Sequence, residues 1–171
     1  HINAQARPMI AASERHFVII VGYGPVGRVV DAMLRDAKIN TVIVDMNIET
    51  VQSLTKAGRT ALYGDAARRE VLEHAGIRRA AHLIVTLPHA EGRVPLVMAA
   101  RELNPDVEIT VRARYLAERE VLERAGAARI VFEEGEAGIA LSRYVLERRG
   151  LDRPEMDKLL TAIRSVWRMD T

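Results

Sequence analysis

The clearest chemical signature in the chain is six consecutive residues, Gly22-Tyr23-Gly24-Pro25-Val26-Gly27. They follow an apolar, β-branched run, Phe17-Val18-Ile19-Ile20-Val21, and open a segment of helical period. A G-x-G-x-x-G pattern says little alone, but between a strand and a helix it has the setting in which phosphate is held. Gly22 then permits a tight turn, Gly24 lets a pyrophosphate approach the backbone, and Gly27 lets the helix pack close to the sheet. The phosphate would rest on N–H groups at the positive end of that helix. Pro25 removes one such donor and pre-sets φ for the first turn. The alternative is a tight strand–helix turn that binds nothing.

Asp45 ends the next apolar run, Thr41-Val42-Ile43-Val44, and stands 18 residues beyond Gly27. A carboxylate there can accept both hydroxyls of an adenosine ribose and would repel a 2′-phosphate. Its neighbours Met46 and Asn47 bring no arginine to such a phosphate. The expected ligand is therefore an adenine nucleotide, AMP, ATP or NAD(H), with NADP disfavoured. The competing role for Asp45 is to cap the following helix, which Asn47 could do equally well. Gly64-Asp65-Ala66 closes the third run at the same sheet edge, where an adenine ring would lie. Asp65 either accepts from the adenine amino group or N-caps the helix at Arg68. Arg112 and Arg114 straddle the end of the fifth run at the carboxyl edge, where open α/β sheets bind ligands. Two guanidiniums there suit phosphate oxygens, an interface carboxylate, or plain solvent.

No residue set looks catalytic, and no enzyme is expected. Tyr115 has no lysine four residues on, and the five histidines (His1, His16, His74, His82, His89) show no metal-ligand spacing. His89 falls in the loop after the fourth run, beside the expected nicotinamide position, and reads as a loop residue.

The elements that must position these residues alternate regularly. Helical segments are expected over Pro25 to Ala37, Ile48 to Ala57, Arg68 to Ala75 with Gly76 as a left-handed cap, Val94 to Leu103, and Leu116 to Ala125. Between them lie Thr60 to Tyr63, His82 to Thr86, Glu108 to Val111 and Arg129 to Phe132. The apolar runs are nearly continuous, as for parallel strands covered by helices on both faces. The fold class is thus α/β, a Rossmann-type doubly wound sheet of six parallel strands with C-terminal helices. Residues 16–134 form the nucleotide-binding domain, and 1–15 read as a linker or tag remnant. Residues 135–171 carry two apolar stripes, one through Ala137, Ala140, Leu141, Tyr144 and Val145, the other through Met156, Leu159, Leu160, Ile163, Val166 and Trp167. These either fold back on the same core or cover a partner subunit.

Composition excludes several classes. The net charge is +2 and no basic cluster is interleaved with aromatics, so nucleic acid is not an expected partner. With no cysteine there is no disulfide scaffold, thiolate metal site or cysteine nucleophile, and the cytoplasm is the default location. The apolar runs are strand-sized, far short of the roughly 20 residues needed to span a bilayer.

Taken together, the glycine turn with Tyr23, the Asp45 strand end, Gly64-Asp65-Ala66, the Thr86-Leu87 strand end and Val111-Arg112-Ala113-Arg114 resemble the regulator-of-potassium-conductance (RCK, KTN or TrkA-N-like) domain. The nearest variety is the cytoplasmic domain of Kef-type monovalent cation/proton antiporters, and the resemblance runs from His16 to Gly150. It implies that Gly22 to Gly27, Asp45, Met46, Gly64, Asp65, Ala66, Thr86, Leu87, Arg112 and Arg114 form the nucleotide site. It also implies a homodimer at the cytoplasmic face of an inner membrane, where nucleotide binding controls a fused or associated cation transporter or channel. In that family the helix after the sixth strand commonly crosses to the partner subunit. Two features depart from the family: Pro88 to Arg93 lacks the acidic-plus-asparagine pattern, and a helix-sized tail replaces a second ligand-sensing domain. The alternative function is the cofactor-binding domain of an NAD-dependent oxidoreductase, for which the chain offers no substrate domain or acid–base. A redox-sensing transcription factor would need a DNA-reading module that the sequence does not show.

Overall fold

The computed structural model describes residues 3–4 and 16–169. Most of the 1–15 segment read as a linker therefore lies outside the described residues, but the Asn3 side-chain amide pairs with both the N–H and the C=O of Tyr63. Among the described residues six strands form one sheet: β1 (Val18–Val21), β2 (Thr41–Asp45), β3 (Ala61–Tyr63), β4 (His82–Val85), β5 (Glu108–Ala113) and β6 (Arg129–Phe132). Every pairing is parallel and the order is β3-β2-β1-β4-β5-β6. Parallel strands need crossovers, supplied by α1 (Pro25–Asp36), α2 (Ile48–Lys56), α3 (Arg69–His74), α4 (Arg93–Leu103) and α5 (Arg119–Ala125). The chain leaves β1 toward β2 and β3, then returns to place β4 on the other side of β1. Such a reversal opens a crevice at the carboxyl ends of β1 and β4, the usual ligand position in open α/β sheets.

Alternation along the strands divides the interior into two cores. Val18, Ile20 and Ile43 point to one face and pack with Val30 and Leu34 of α1 and Val51 and Leu54 of α2. Ile19, Val21, Val42 and Val44 point to the other and pack with Leu72 of α3, Leu96 and Val97 of α4 and Leu122 of α5. The expectation that the strands are covered on both faces holds for β1 and β2 and fails for β4 to β6. There, burial alternates residue by residue, with His82, Glu108 and Arg129 exposed and Ile84, Thr110 and Val131 only partly buried. The cause is topological: α3, α4 and α5 all pack on one face, and α1 and α2 cover only the β1–β3 half of the other.

A second difference concerns the segment expected as one helix over Leu116 to Ala125. It begins as a 3₁₀ turn, Leu116–Glu118, and becomes α5 only at Arg119. Glu118 accounts for the break, since one of its oxygens accepts from the Tyr115 amide at 3.2 Å while the other pairs with Arg93.

Beyond β6 come α6 (Glu133–Arg148) and α7 (Arg153–Val166). The tail of α7 folds back: Met169 is buried against Gly135, and Arg164 forms a two-toothed pair with Glu136. The α6 stripe does not fold back. Leu141 is 74% and Tyr144 68% exposed, and Val145 stands beside them in solvent. Between the helices runs an apolar groove of about 670 Å³, walled by Phe132, Ile139, Met156, Leu160, Ile163 and Trp167.

Candidate nucleotide site at the carboxyl edge of the sheet

The turn after β1 is built by its glycines. Gly22 has φ +95°, a left-handed value that L side chains rarely adopt, and its N–H still continues the ladder to Val44 O at 2.9 Å. A Cβ on Gly27 would stand 2.0 Å from the Gly22 carbonyl oxygen, so only glycine lets α1 start this close to the strand. Gly24 differs: its φ is −75°, and a Cβ there would meet nothing within 4 Å. Its want of a side chain serves neither turn nor packing and leaves clear space above the backbone. The end of α1 is open as well. It has no side-chain cap and no acidic residue in its first turn, whereas α2 is capped by Asn47 and α7 by Asp152. With Pro25 lacking an N–H, the Val26 and Gly27 amides are the donors left at that positive end.

Asp45 extends the ladder by side chain. Its Oδ2 accepts from the Tyr23 amide and its Oδ1 from the Asn47 amide, both at 2.7 Å. The capping role belongs to Asn47, whose Oδ1 accepts from the Glu49 and Thr50 amides at 3.0 and 3.1 Å. A carboxylate has about four acceptor sites, so two backbone bonds fix its direction and leave capacity for two hydroxyls. Met46 beside it is exposed.

The remaining expected residues differ in exposure and in partners. Asp65 Oδ1 accepts from the Ala67 amide at 2.9 Å, which shapes the turn before α3 rather than capping at Arg68. The Ala66 side chain lies in the core, which leaves only its backbone to face the sheet edge. Thr86 is buried, and its hydroxyl lies 2.9 Å from the carbonyl oxygens of both Val21 and Gly22. It bolts the glycine turn in place from behind. The Leu87 side chain packs on the core, and its carbonyl accepts from Arg93 Nε and Nη2 at 3.1 and 2.7 Å. Arg112 donates from Nη1 to the Thr86 carbonyl at 3.1 Å and from Nε to Glu133, the first residue of α6. Arg114 pairs with Glu134 at 3.0 Å, lies over the Tyr115 ring, and lines the groove between α6 and α7. Of the roles open to the two arginines, the carboxylate partner is the one seen, and it comes from the same chain.

Two charged clusters were not foreseen. Asp31 in α1 is 1% exposed and accepts from Arg59 Nη2 at 2.7 and 2.9 Å, Thr41 Oγ1 at 2.7 Å and the Tyr23 hydroxyl at 3.1 Å. Burial pushes its pKa up, but the hydrogen bonds of Arg59 and Thr41, the Arg59 charge and the Tyr23 hydroxyl together hold it below the ordinary carboxylate value. A signal existed: Asp31 is four residues after Gly27 and shares its inward face. Arg93, also 1% exposed, ties the loop after β4 to Glu118 at 2.6 Å. Nothing local in the sequence marks it as buried.

The comparisons bear on what such an arrangement belongs to. Residues 18–133 match the TrkA-N domain family. Over 143 residues the chain is 32% identical to YbaL of Escherichia coli K12, covering 84% of this chain and 25% of that protein. The solved TrkA-N domain of inner membrane protein YbaL superposes with a TM-score of 0.72 at 32% identity, covering 80% of this chain and 98% of that one. The glutathione-regulated potassium-efflux system protein KefC of Cronobacter sakazakii is 30% identical over 138 residues, 81% of this chain and 22% of KefC. The Shewanella denitrificans Kef CTD, solved in an AMP-bound form, shares the fold with a TM-score of 0.71 at 22% identity, covering 91% of this chain and all of that one. The chain thus spans about a quarter of the length of the curated relatives it matches. It belongs to the TrkA-N domain family and is homologous to the TrkA-N segments of the YbaL and Kef transport proteins.

Proposed function

We propose that this domain is a regulatory, non-catalytic nucleotide sensor that controls a monovalent-cation transport system, a cation/proton antiporter, at the cytoplasmic face of an inner membrane. The observation that carries it is the glycine turn. Gly24 leaves open space over an uncapped helix end, and the Asp45 carboxylate is locked by the Tyr23 amide of that same turn. The first suits a phosphate, the second the ribose joined to it. In this reading Gly22 to Gly27, Asp45, Met46, Gly64 and Asp65 line the site, Thr86 supports it, and Arg112 holds the Thr86 carbonyl. The AMP-bound form of the Kef CTD supports an adenine nucleotide as ligand. AMP, ATP and NAD(H) share the recognised part, while a 2′-phosphate would meet Asp45.

The working unit in this reading is a homodimer. Its support is the apolar stripe of α6 left bare at Leu141, Tyr144 and Val145. A self-complementary two-fold contact is the commonest way to bury such surface. Contacts also run unbroken from turn to helix: Gly22 to Thr86, Thr86 to Arg112, Arg112 to Glu133 at the start of α6. A nucleotide shifts the dimer only by binding its arrangements with different affinity.

Calorimetric titration of AMP, NADH and NADPH into the protein tests the reading. AMP and NADH should bind and NADPH hardly at all; NADPH binding as tightly as NADH would contradict the role of Asp45. His89 and Tyr115 stand exposed on loops, and no substrate-dependent oxidation of NADH is expected.

A further inference from the structure

The buried Asp31 carboxylate takes no part in the site as described, yet one residue joins the two. Tyr23 donates its hydroxyl to Asp31 Oδ2 at 3.1 Å and its amide to Asp45 Oδ2 at 2.7 Å. Its carbonyl accepts from Arg28 Nε at 3.2 Å, and the Arg28 guanidinium lies 5.6 Å from its ring centre. Every polar atom of Tyr23 is therefore engaged, in a residue whose chain neighbours are the conformationally permissive Gly22 and Gly24.

Sealing an ion pair into the interior is a poor route to stability, because well-packed apolar residues of the same shape do as well or better. What an ion pair supplies is direction. Arg59 Nη2 reaches both oxygens of Asp31, and Thr41 Oγ1 holds Oδ1 at 2.7 Å. Arg59 itself is held by Thr41 Oγ1 at 3.1 Å, so the cluster closes on itself across α1, the start of β2 and the approach to β3. The carboxylate so fixed presents Oδ2 to Tyr23.

We propose that Tyr23, Asp31 and Arg59 are positioning residues for the ribose: the buried pair fixes Tyr23, whose amide fixes the Asp45 carboxylate, and this sets selectivity at the ribose 2′ position. Asp31 and Arg59 touch no nucleotide, and their effect passes through Tyr23 and Asp45. The inference rests on the nucleotide reading above.

The test compares AMP with 2′-deoxy-AMP, titrated into the wild-type protein and into Tyr23→Phe, which removes the hydroxyl alone. Wild type should prefer AMP. Tyr23→Phe should weaken AMP by roughly three- to ten-fold, the worth of one hydrogen bond, and 2′-deoxy-AMP by distinctly less, so that the preference shrinks. A merely structural role would weaken both nucleotides by one factor; that result, or no change in either, overturns the inference. Asp31→Asn should reproduce the narrowed preference, and if it does not fold, Tyr23→Phe decides alone. If wild type binds neither nucleotide, or both equally, the reading of Asp45 falls and the inference with it. A wild-type preference that survives unchanged in Tyr23→Phe overturns the inference only.

Discussion

Gly24 and Gly27 stand three residues apart in one motif, and the structure gives them opposite liabilities. A Cβ on Gly27 would approach Gly22 O to 2.0 Å and Gly22 C to 2.9 Å, and both neighbours are backbone. Relief requires α1 to withdraw by about 1 Å from a strand end on which Val30 and Leu34 pack. Overpacking typically costs 1–3 kcal/mol, and an obstacle of backbone places Gly27→Ala at about 3 kcal/mol. For a domain of this size that lowers the melting temperature by roughly 6–12 °C. A Cβ at position 24 meets nothing within 4 Å, and Gly24→Val keeps an ordinary φ of −75°. Losing glycine at a helix N-cap costs some tenths to about 1 kcal/mol, and the reduced freedom of the unfolded chain offsets a similar amount. Its stability should stay within about 0.5 kcal/mol of wild type, while its side chain fills the phosphate path and AMP affinity drops beyond ten-fold. Circular-dichroism melts and AMP calorimetry on both variants separate the two effects. If Gly24→Val melts as low as Gly27→Ala, or binds AMP like wild type, the division of labour among the glycines is wrong.

Three further outcomes follow from other parts of the molecule. Asp45→Ala should weaken NADH and narrow the gap to NADPH in calorimetry, since the carboxylate both accepts the hydroxyls and repels the phosphate. Arg59→Met leaves the Asp31 carboxylate buried without its cation and should cost about 3–5 kcal/mol at pH 7 in urea unfolding. Because the folded Asp31 pKa is lowered, the unfolded chain binds the proton more tightly, and the contribution is intact above about pH 4 and lost as pH falls through the folded value. The gap between wild type and Arg59→Met should therefore narrow in acid; a gap that is constant down to pH 2 would show that Asp31 is not its source. Leu141→Glu with Val145→Glu should convert a dimer to a monomer in light scattering at tens of micromolar, with the melting temperature nearly unchanged, because both side chains stand in solvent in the single chain. A wild type already monomeric there would contradict the dimer.

What could be read from the sequence was local. The glycine turn declares itself because strand, turn and helix are contiguous, and Gly22 and Gly27 meet the turn and packing demands expected of them at that place. Asp45 is singled out by spacing, but that it does not cap the next helix emerges only from seeing the Asn47 side chain occupy the cap. The half-open face of β4 to β6 was missed because Ile84, Thr110 and Val131 read as apolar or β-branched in a run. Whether such residues are covered depends on where distant helices land. Asp31 and Arg59 are 28 residues apart and meet only in the fold, as Arg93 and Glu118 do across 25. The fate of the two C-terminal stripes was left open for the same reason: period shows that a helix has an apolar side and not what lies against it.

The central claim is that a nucleotide occupies the glycine turn at the carboxyl edge of β1 and β2, and not the apolar groove between α6 and α7. Backbone amide shifts in a ¹⁵N-labelled sample titrated with AMP test it residue by residue. The largest changes should fall on Gly22, Tyr23, Gly24, Val26, Gly27 and Asn47, whose amides form or border the site, while Leu160, Ile163 and Trp167 stay in place. Saturable changes centred on those last three, with the glycine turn unmoved, would contradict it.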